Sequence, residues 1–133
     1  MTIIIHVPIE PVPFARAGAS GKRRFTPKRQ SEFMGQFRMY AQRAMEGRAP
    51  LEGPVEMIAR FVYVAPASWS KKRRAEAHWK ASKPDADNLA KIVKDSIGAV
   101  VYHDDAQVAS LTVQKVYGER AEIVVTVSSL EAA

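Results

Sequence analysis

Four aspartates and one lysine lie close together in a chain that is otherwise strongly basic. They are Asp85, Asp87, Lys91, Asp104 and Asp105. Clustered carboxylates repel one another and resist ionisation unless a cation is present. Mg²⁺ and Mn²⁺ prefer such oxygen ligands, and the bound ion can polarise a phosphodiester and activate water. The residue types therefore indicate a divalent-metal site that acts on phosphate.

Each residue of this cluster also has an ordinary structural explanation. Asp85 and Asp87 suit a turn and a helix N-cap, and the later aspartate pair suits a solvated turn. Lys91 suits an ion pair with Asp87 or Asp95 on an exposed helix face. Short aspartate motifs also arise by chance. From the spacing alone, a metal site and a purely structural cluster both remain open.

A helix and a strand must position the cluster. Apolar residues at helical spacing predict a helix over about residues 87–97, with Gly98 as its stop. Residues 108–116 are typical of a β-strand. If the helix packs its apolar stripe on that strand, its beginning and the start of the strand come together. This arrangement would gather Asp85, Asp87 and Asp105 beside Lys91.

The motifs extend beyond the carboxylates. The chain contains Lys83-Pro84-Asp85-Ala86-Asp87-Asn88-Leu89-Ala90-Lys91, then Asp95, then Asp104-Asp105-Ala106-Gln107-Val108. Upstream it contains Ser68-Trp69-Ser70-Lys71-Lys72 and Pro11-Val12-Pro13 with Arg16. Together these stretches resemble the RusA family of Holliday-junction resolvases, the crossover-junction endodeoxyribonucleases of bacteria and their phages.

The resemblance implies roles for individual residues. It assigns divalent-metal binding to Asp85, Asp87 and Asp105, with Asp104 as a lesser candidate. Lys91 corresponds to the family's essential lysine, which would orient or neutralise phosphate, or hold Asp87 in place. The implied cofactor is Mg²⁺, with Mn²⁺ as an alternative and no small organic cofactor. The implied assembly is a homodimer that nicks two strands of four-way junction DNA symmetrically, in DNA recombination and repair.

Length, charge and composition limit the kinds of protein that this chain can be. A length of 133 residues predicts one domain, 1–133. The resemblance implies that it is a RusA-like nuclease domain. A net charge of +6 and a pI near 9.8 indicate a polyanionic partner. The chain has no cysteine, which excludes disulfides and zinc–thiolate sites. The apolar run at residues 2–6 is too short for a signal peptide or a membrane span, so we expect a cytoplasmic protein with no membrane partner.

Two basic stretches are candidates for DNA contact. The loop at residues 15–27 carries Arg16, Lys22, Arg23 and Arg24, with Phe25 as a base-stacking or wedge residue. The stretch at residues 66–82, which leads into Lys83 and the aspartate motif, carries Lys71, Lys72, Arg73 and Arg74. Both stretches also suit a solvated surface. Ser70 is expected to cap a short helix ending near Lys80, and the tryptophans at its two ends suit the core or a dimer contact. Because the basic run leads into the aspartate motif, we favour substrate contact for at least part of it.

The remaining elements predict an α+β fold. We expect strands at residues 2–7 and 55–64, separated by a helix over about 27–46. Two last strands near 107–117 and 122–128 are expected to form a hairpin through Gly118-Glu119-Arg120. The strand at 55–64 is apolar on both sides and should be central. The expected architecture is a mixed sheet of about four strands with helices mainly on one face.

The function that follows is a Mg²⁺-dependent structure-specific endodeoxyribonuclease that resolves Holliday junctions by paired nicks. Two alternatives remain beside it. One is a nuclease that prefers flaps or forks to four-way junctions. The other is a non-catalytic basic DNA-binding module, in which the aspartates only cap and order the fold. A host origin and a prophage origin are both compatible with the sequence.

Overall fold

Four strands with alternating apolar residues form one mixed sheet. The computed structural model describes residues 1–13 and 27–130. The strands β1 (Thr2–Val7), β2 (Val55–Val64), β3 (Val108–Gly118) and β4 (Glu122–Ser129) lie in the order β1-β4-β2-β3. β2 pairs in parallel with β3 and antiparallel with β4, which also pairs antiparallel with β1. The predicted mixed four-stranded sheet and the central position of β2 are confirmed.

Three helices complete the α+β fold: α1 (Pro27–Met45), α2 (Lys71–Glu76) and α3 (Ala86–Ile97). Apolar side chains of α1 and α3 pack with one face of the sheet in a single core. On the opposite face, Ile4 of β1 and Ile58 of β2 are exposed, whereas Val62 of β2 and Val116 of β3 are buried. α2 buries none of its residues. Among residues 1–13 and 27–130, no helix has the length and apolarity needed to span a membrane.

The predicted hairpin between β3 and β4 is wrong. The two strands do not pair, because β2 lies between them and bonds to both. The connection therefore crosses the end of β2, and Gly118 leaves room for this crossing. A Cβ added at Gly118 would lie 2.6 Å from Cγ1 of Val62. β4 takes an interior position because its alternate residues Ile123, Val125 and Val127 are all fully buried.

The helix predicted to end near Lys80 is shorter in the structure. Ser70 caps it as expected, because its hydroxyl accepts a hydrogen bond from the backbone N–H of Arg73 at 3.1 Å. The chain then leaves the helix after Glu76 and runs along the outer edge of β3. There the N–H of Lys80 donates to the carbonyl of Lys115 at 2.9 Å. Pairing with the edge strand replaces the last turn of the predicted helix.

Candidate active site

A cleft between α3 and β3 contains most of the acidic cluster. Asp87, Lys91 and Asp95 follow one another at intervals of four residues, so they project from one face of α3. Asp105, in a 3₁₀ turn at Asp105–Gln107, also lines the cleft. The remaining lining comes from both walls and comprises Ala86, Ala90, Lys94, Leu111 and Val113. Two separate elements thus bring three carboxylates and two lysines to one cleft of about 530 Å³.

Lys91 is placed in this cleft by its own helix. Its Nζ lies 3.7 Å from Oδ2 of Asp95, one helical turn further along. Both side chains are partly exposed, so the pair itself stabilises the fold by only about 0.3–0.5 kcal/mol. What the pair does is hold the ammonium group of Lys91 near Asp95 on the surface of the cleft.

Tyr102 fixes the orientation of Asp105. The tyrosine is fully buried, and its hydroxyl donates to Oδ1 of Asp105 at 3.2 Å. The same hydroxyl lies 3.4 Å from the carbonyl oxygen of Lys94. Burial, followed by the negative charge of Asp105, raises the pKa of Tyr102 far above its usual range. The hydroxyl therefore stays protonated and remains a hydrogen-bond donor to this carboxylate.

Gly98 allows the end of α3 to approach that carboxylate. This residue is the C-cap of α3, and its N–H donates to the carbonyl of Lys94 at 3.0 Å. A Cβ added there would lie 3.2 Å from the same carbonyl oxygen and 3.4 Å from Oδ1 of Asp105. The missing side chain thus lets the helix end, Tyr102 and Asp105 pack together.

The neighbouring Asp104 has a structural role. Its Oδ1 accepts a hydrogen bond from the backbone N–H of Ala106 at 3.2 Å and so caps the 3₁₀ turn. Gln107 completes this capping box, because its Oε1 accepts from the N–H of Asp104 at 2.9 Å. The amide nitrogen of Gln107 then donates to the carbonyls of Leu51 and Gly53. These bonds tie the turn that carries Asp105 to the loop before β2.

Asp85 lies at the entrance to α3. It occupies the N-cap position, but its side chain makes no capping hydrogen bond. Instead Oδ1 of Asp85 lies 3.3 Å from Nζ of Lys83. Asp85 is not among the residues that line the cleft, and it adjoins Ala86, which does line it. The structure therefore brings Asp87 and Asp105 together with Lys91, while Asp85 stands beside them and faces Lys83.

Lys115 holds the loop that leads into this motif. Its Nζ donates to the carbonyl oxygens of Ser82 at 2.7 Å and Pro84 at 2.6 Å. Partial burial and then the positive charge of Lys80 lower the pKa of Lys115, and the charge of Asp85 acts in the opposite direction. A lysine from β3 thus fixes the backbone immediately before Asp85.

The donor types in the cleft fit a hard divalent cation. Carboxylates of Asp87, Asp95 and Asp105 provide the oxygen ligands that Mg²⁺ and Mn²⁺ accept. Within residues 1–13 and 27–130, however, no three acidic, histidine or cysteine side chains are already grouped closely enough to hold a metal ion. The ligand roles of Asp85, Asp87 and Asp105 therefore stay predictions.

The basic residues fall into three groups. The side chains of Lys71, Lys72, Arg73 and Arg74 are exposed on α2, and Lys83 is exposed beside Asp85. Arg16, Lys22, Arg23, Arg24 and Phe25 lie outside the described residues. Arg38 of α1 instead faces α3, where its Nε donates to the carbonyl of Ser96 at 3.1 Å. Its positive charge thus meets the C-terminal end of α3, where the helix dipole favours it.

Three supporting residues were not identified from the sequence. Gln107 belongs to the quoted motif and Tyr102 lies two residues before it, yet their partners are set by the turn between α3 and β3. Lys115 gave no local signal, because a lysine in an edge strand normally faces solvent. Its role follows from the pairing of residues 78–80 with β3, which brings the loop within its reach.

The fold and this cleft define a class: small basic α+β proteins with an acidic, lysine-containing cleft at the edge of a mixed sheet. The family model described as Endodeoxyribonuclease RusA matches residues 8–128. The chain therefore belongs to the RusA endodeoxyribonuclease family. It is also similar to a Bacillus subtilis (strain 168) protein named "Uncharacterized protein YqaN", with 36% identity over 88 residues. That alignment spans 62% of this chain and 62% of the relative, whose name states no activity.

Proposed function

We propose that this chain is a divalent-metal-dependent endodeoxyribonuclease that resolves four-way DNA junctions as a homodimer making paired symmetric nicks. One observation carries the proposal. Asp87 and Lys91 of α3 and Asp105 of the turn before β3 line a single cleft in a member of the RusA family. Carboxylates beside a lysine provide both the metal ligands and the phosphate-neutralising charge that hydrolysis of a phosphodiester requires.

Each side chain of the cleft has its own proposed role in catalysis. Asp87 and Asp105 would hold Mg²⁺ or Mn²⁺, with Asp85 as a third ligand once its carboxylate leaves Lys83. A bound ion supplies positive charge to the phosphodiester and lowers the pKa of a water molecule. Lys91 neutralises charge on the phosphate, and its pair with Asp95 limits where its ammonium group can lie. Tyr102 holds Asp105 in one orientation.

The proposed substrate follows from charge and symmetry. The helix α2, which comes before the cleft residues in the sequence, exposes four basic side chains: Lys71, Lys72, Arg73 and Arg74. These side chains can contact backbone phosphates on either side of the cut. Arg16, Lys22, Arg23, Arg24 and Lys83 are proposed for the same role. A two-fold symmetric dimer presents two equal clefts, which matches a four-way junction with two equivalent strands.

The test is nicking of a labelled four-way junction beside a linear duplex, a flap and a fork of matched sequence, with Mg²⁺ or with chelator. The matched pair of variants is Asp105→Asn and Asp104→Asn, which differ by one position. We expect wild type and Asp104→Asn to nick only the junction, because asparagine still caps the 3₁₀ turn. Asp105→Asn should bind the junction and leave it uncut.

Other outcomes would contradict the proposal in distinct ways. If flaps or forks are nicked as fast as the junction, the proposed preference for four-way junctions is wrong and the substrate is branched DNA of another kind. Tight junction binding without nicking under Mg²⁺ or Mn²⁺ would leave a DNA-binding module. If Asp105→Asn nicks the junction as fast as Asp104→Asn, Asp105 is not part of the catalytic site.

A further inference from the structure

A second groove lies beside the cleft, and its walls are aromatic and basic. Its lining includes Trp69, Trp79, Tyr117, Lys72, Arg73 and Glu76. Residues 71–83 contain six lysines or arginines and only one acidic residue, Glu76. This segment therefore carries a net charge of +5, six positive charges less one negative, and Lys72 and Arg73 bring part of it to the groove.

Trp79 is an exposed ring on a fixed backbone. Its side chain is 62% exposed, although tryptophan normally buries most of its surface. The residue forms a bridge with Val116, and its neighbours on either side also bond to β3. His78 packs edge-on against the indole at 4.7 Å. The indole is thus presented to solvent without a loss of backbone order, which suits it for stacking on a partner.

Trp69 also lines the groove, and its ring already packs on two neighbouring side chains. The guanidinium of Arg73 lies 3.7 Å from the centre of its ring, and Tyr117 packs edge-on at 5.2 Å. The first contact places the guanidinium of Arg73 on the Trp69 ring, and both residues line the groove. An aromatic surface and a positioned cation therefore occur together.

The groove and the cleft lie along the same strand. Val113 lines the cleft, Lys115 holds the loop before Asp85, and Tyr117 lines the groove. These alternate residues of β3 face one side of the sheet. Val113 and Tyr117 are about 13 Å apart at about 3.3 Å per residue. On a B-DNA duplex, where one strand advances roughly 3.4 Å per nucleotide along the axis, that separation corresponds to about four nucleotides.

We propose that this groove binds an unpaired segment of the DNA substrate, with a nucleobase stacked on Trp79 and phosphates held by Lys72 and Arg73. The inference rests on the proposed function, because it takes DNA as the partner. Aromatic rings in a basic groove are how proteins bind single strands, whereas the bases of an intact duplex are already stacked. A second copy of the chain is a poor occupant, since like charges would meet and interface centres are depleted in charged residues.

The two tryptophans allow a direct test, because they are the only ones in the chain and both line the groove. Their fluorescence is titrated with a short single strand, a matched duplex and a four-way junction, all in chelator. We expect strong quenching by the single strand and weak quenching by the duplex. The junction should quench more than the duplex, because base pairs next to its branch point open more easily than those inside a duplex. Trp79→Ala should weaken single-strand binding about 5- to 100-fold, whereas Trp79→Phe should keep most of the affinity.

Ile4→Ala is the matched control, because Ile4 is equally exposed at 62% on the far edge strand β1. It should leave binding and quenching unchanged. Single-strand affinity that survives Trp79→Ala, or a duplex that quenches as strongly as a single strand, would overturn the inference. So would a Trp79→Ala protein that loses self-association and keeps its DNA affinity, because the groove would then be a contact between copies.

The same titration separates this inference from the proposed function. If wild type never nicks a junction but Trp79→Ala weakens single-strand binding, measured by the anisotropy of a dye-labelled strand, the groove is supported and the nuclease proposal fails. If wild type nicks junctions and Trp79→Ala nicks and binds them equally well, the groove inference fails and the nuclease proposal stands.

Discussion

Replacing Tyr102 by phenylalanine isolates the contact that orients Asp105. The ring is fully buried and stays in place, so the change leaves no cavity. Only the hydroxyl is lost, with its 3.2 Å bond to Oδ1 of Asp105 and its 3.4 Å contact with the carbonyl of Lys94. The variant therefore separates orientation of the carboxylate from packing of the core.

The size of each effect follows from these contacts. A hydrogen bond to a charged group contributes about 1.5–3 kcal/mol, and water can partly replace it because Asp105 is not fully buried. We expect a fall of about 1–2 kcal/mol in the free energy of unfolding. Loss of a partner that orients a metal ligand typically lowers metal affinity about 10- to 100-fold. The Mg²⁺ concentration for half-maximal nicking should therefore rise by that factor.

The assay is the rate of junction nicking as a function of Mg²⁺ concentration, with urea unfolding for stability. Tyr63→Phe is the matched control, because the hydroxyl of Tyr63 is buried and has no hydrogen-bond partner in the described part of the chain. Its removal should leave stability equal or slightly higher and the Mg²⁺ dependence unchanged. A Tyr102→Phe protein with wild-type Mg²⁺ dependence would refute the idea that this hydroxyl positions a metal ligand.

Three further predictions concern the same region. Gly98→Ala should slow nicking and cost about 1 kcal/mol in thermal unfolding, because its Cβ would lie 3.2 Å from the carbonyl oxygen of Lys94 and touch Asp105. Unchanged nicking would contradict that close approach. Lys115→Met should speed hydrogen exchange at the start of α3, because the loop before it loses two hydrogen bonds; unchanged exchange would count against this role. Stability should fall above pH 10 by about 1.4 kcal/mol per pH unit from Tyr102, since only the unfolded state then releases that proton. Alkaline urea titrations of Tyr102→Phe should lack this contribution, and an identical pH profile would refute it.

Local signals predicted some elements well. α3 has a defined start near Asp85, an apolar stripe and a stop at Gly98, and all three signals lie within one stretch of chain. β2 is apolar on both sides, which indicates a central strand whatever its neighbours are. These features depend on the segment itself and so can be read without the fold.

Other features depend on residues that are distant in sequence. The turn at Gly118 looked like a hairpin, because a turn signal says nothing about which strand will lie between its two arms. α2 ends early because residues beyond it pair with β3, a contact between distant segments. The support given by Lys115 to the loop before Asp85 depends on that same pairing. The motif predicted that Asp87 and Asp105 meet, but the orientation of Asp85 toward Lys83 depends on the folded loop.

The central claim is that α3 and the turn before β3 supply one shared metal site. It is tested most directly by Mn²⁺ titration of wild type, Asp87→Asn, Asp105→Asn and the double variant, monitored by electron paramagnetic resonance. If both aspartates hold one ion, each single variant should lose at least about 10-fold in affinity, and the double variant should be little worse than either. Wild-type affinity in either single variant, or losses that simply add, would contradict a shared site.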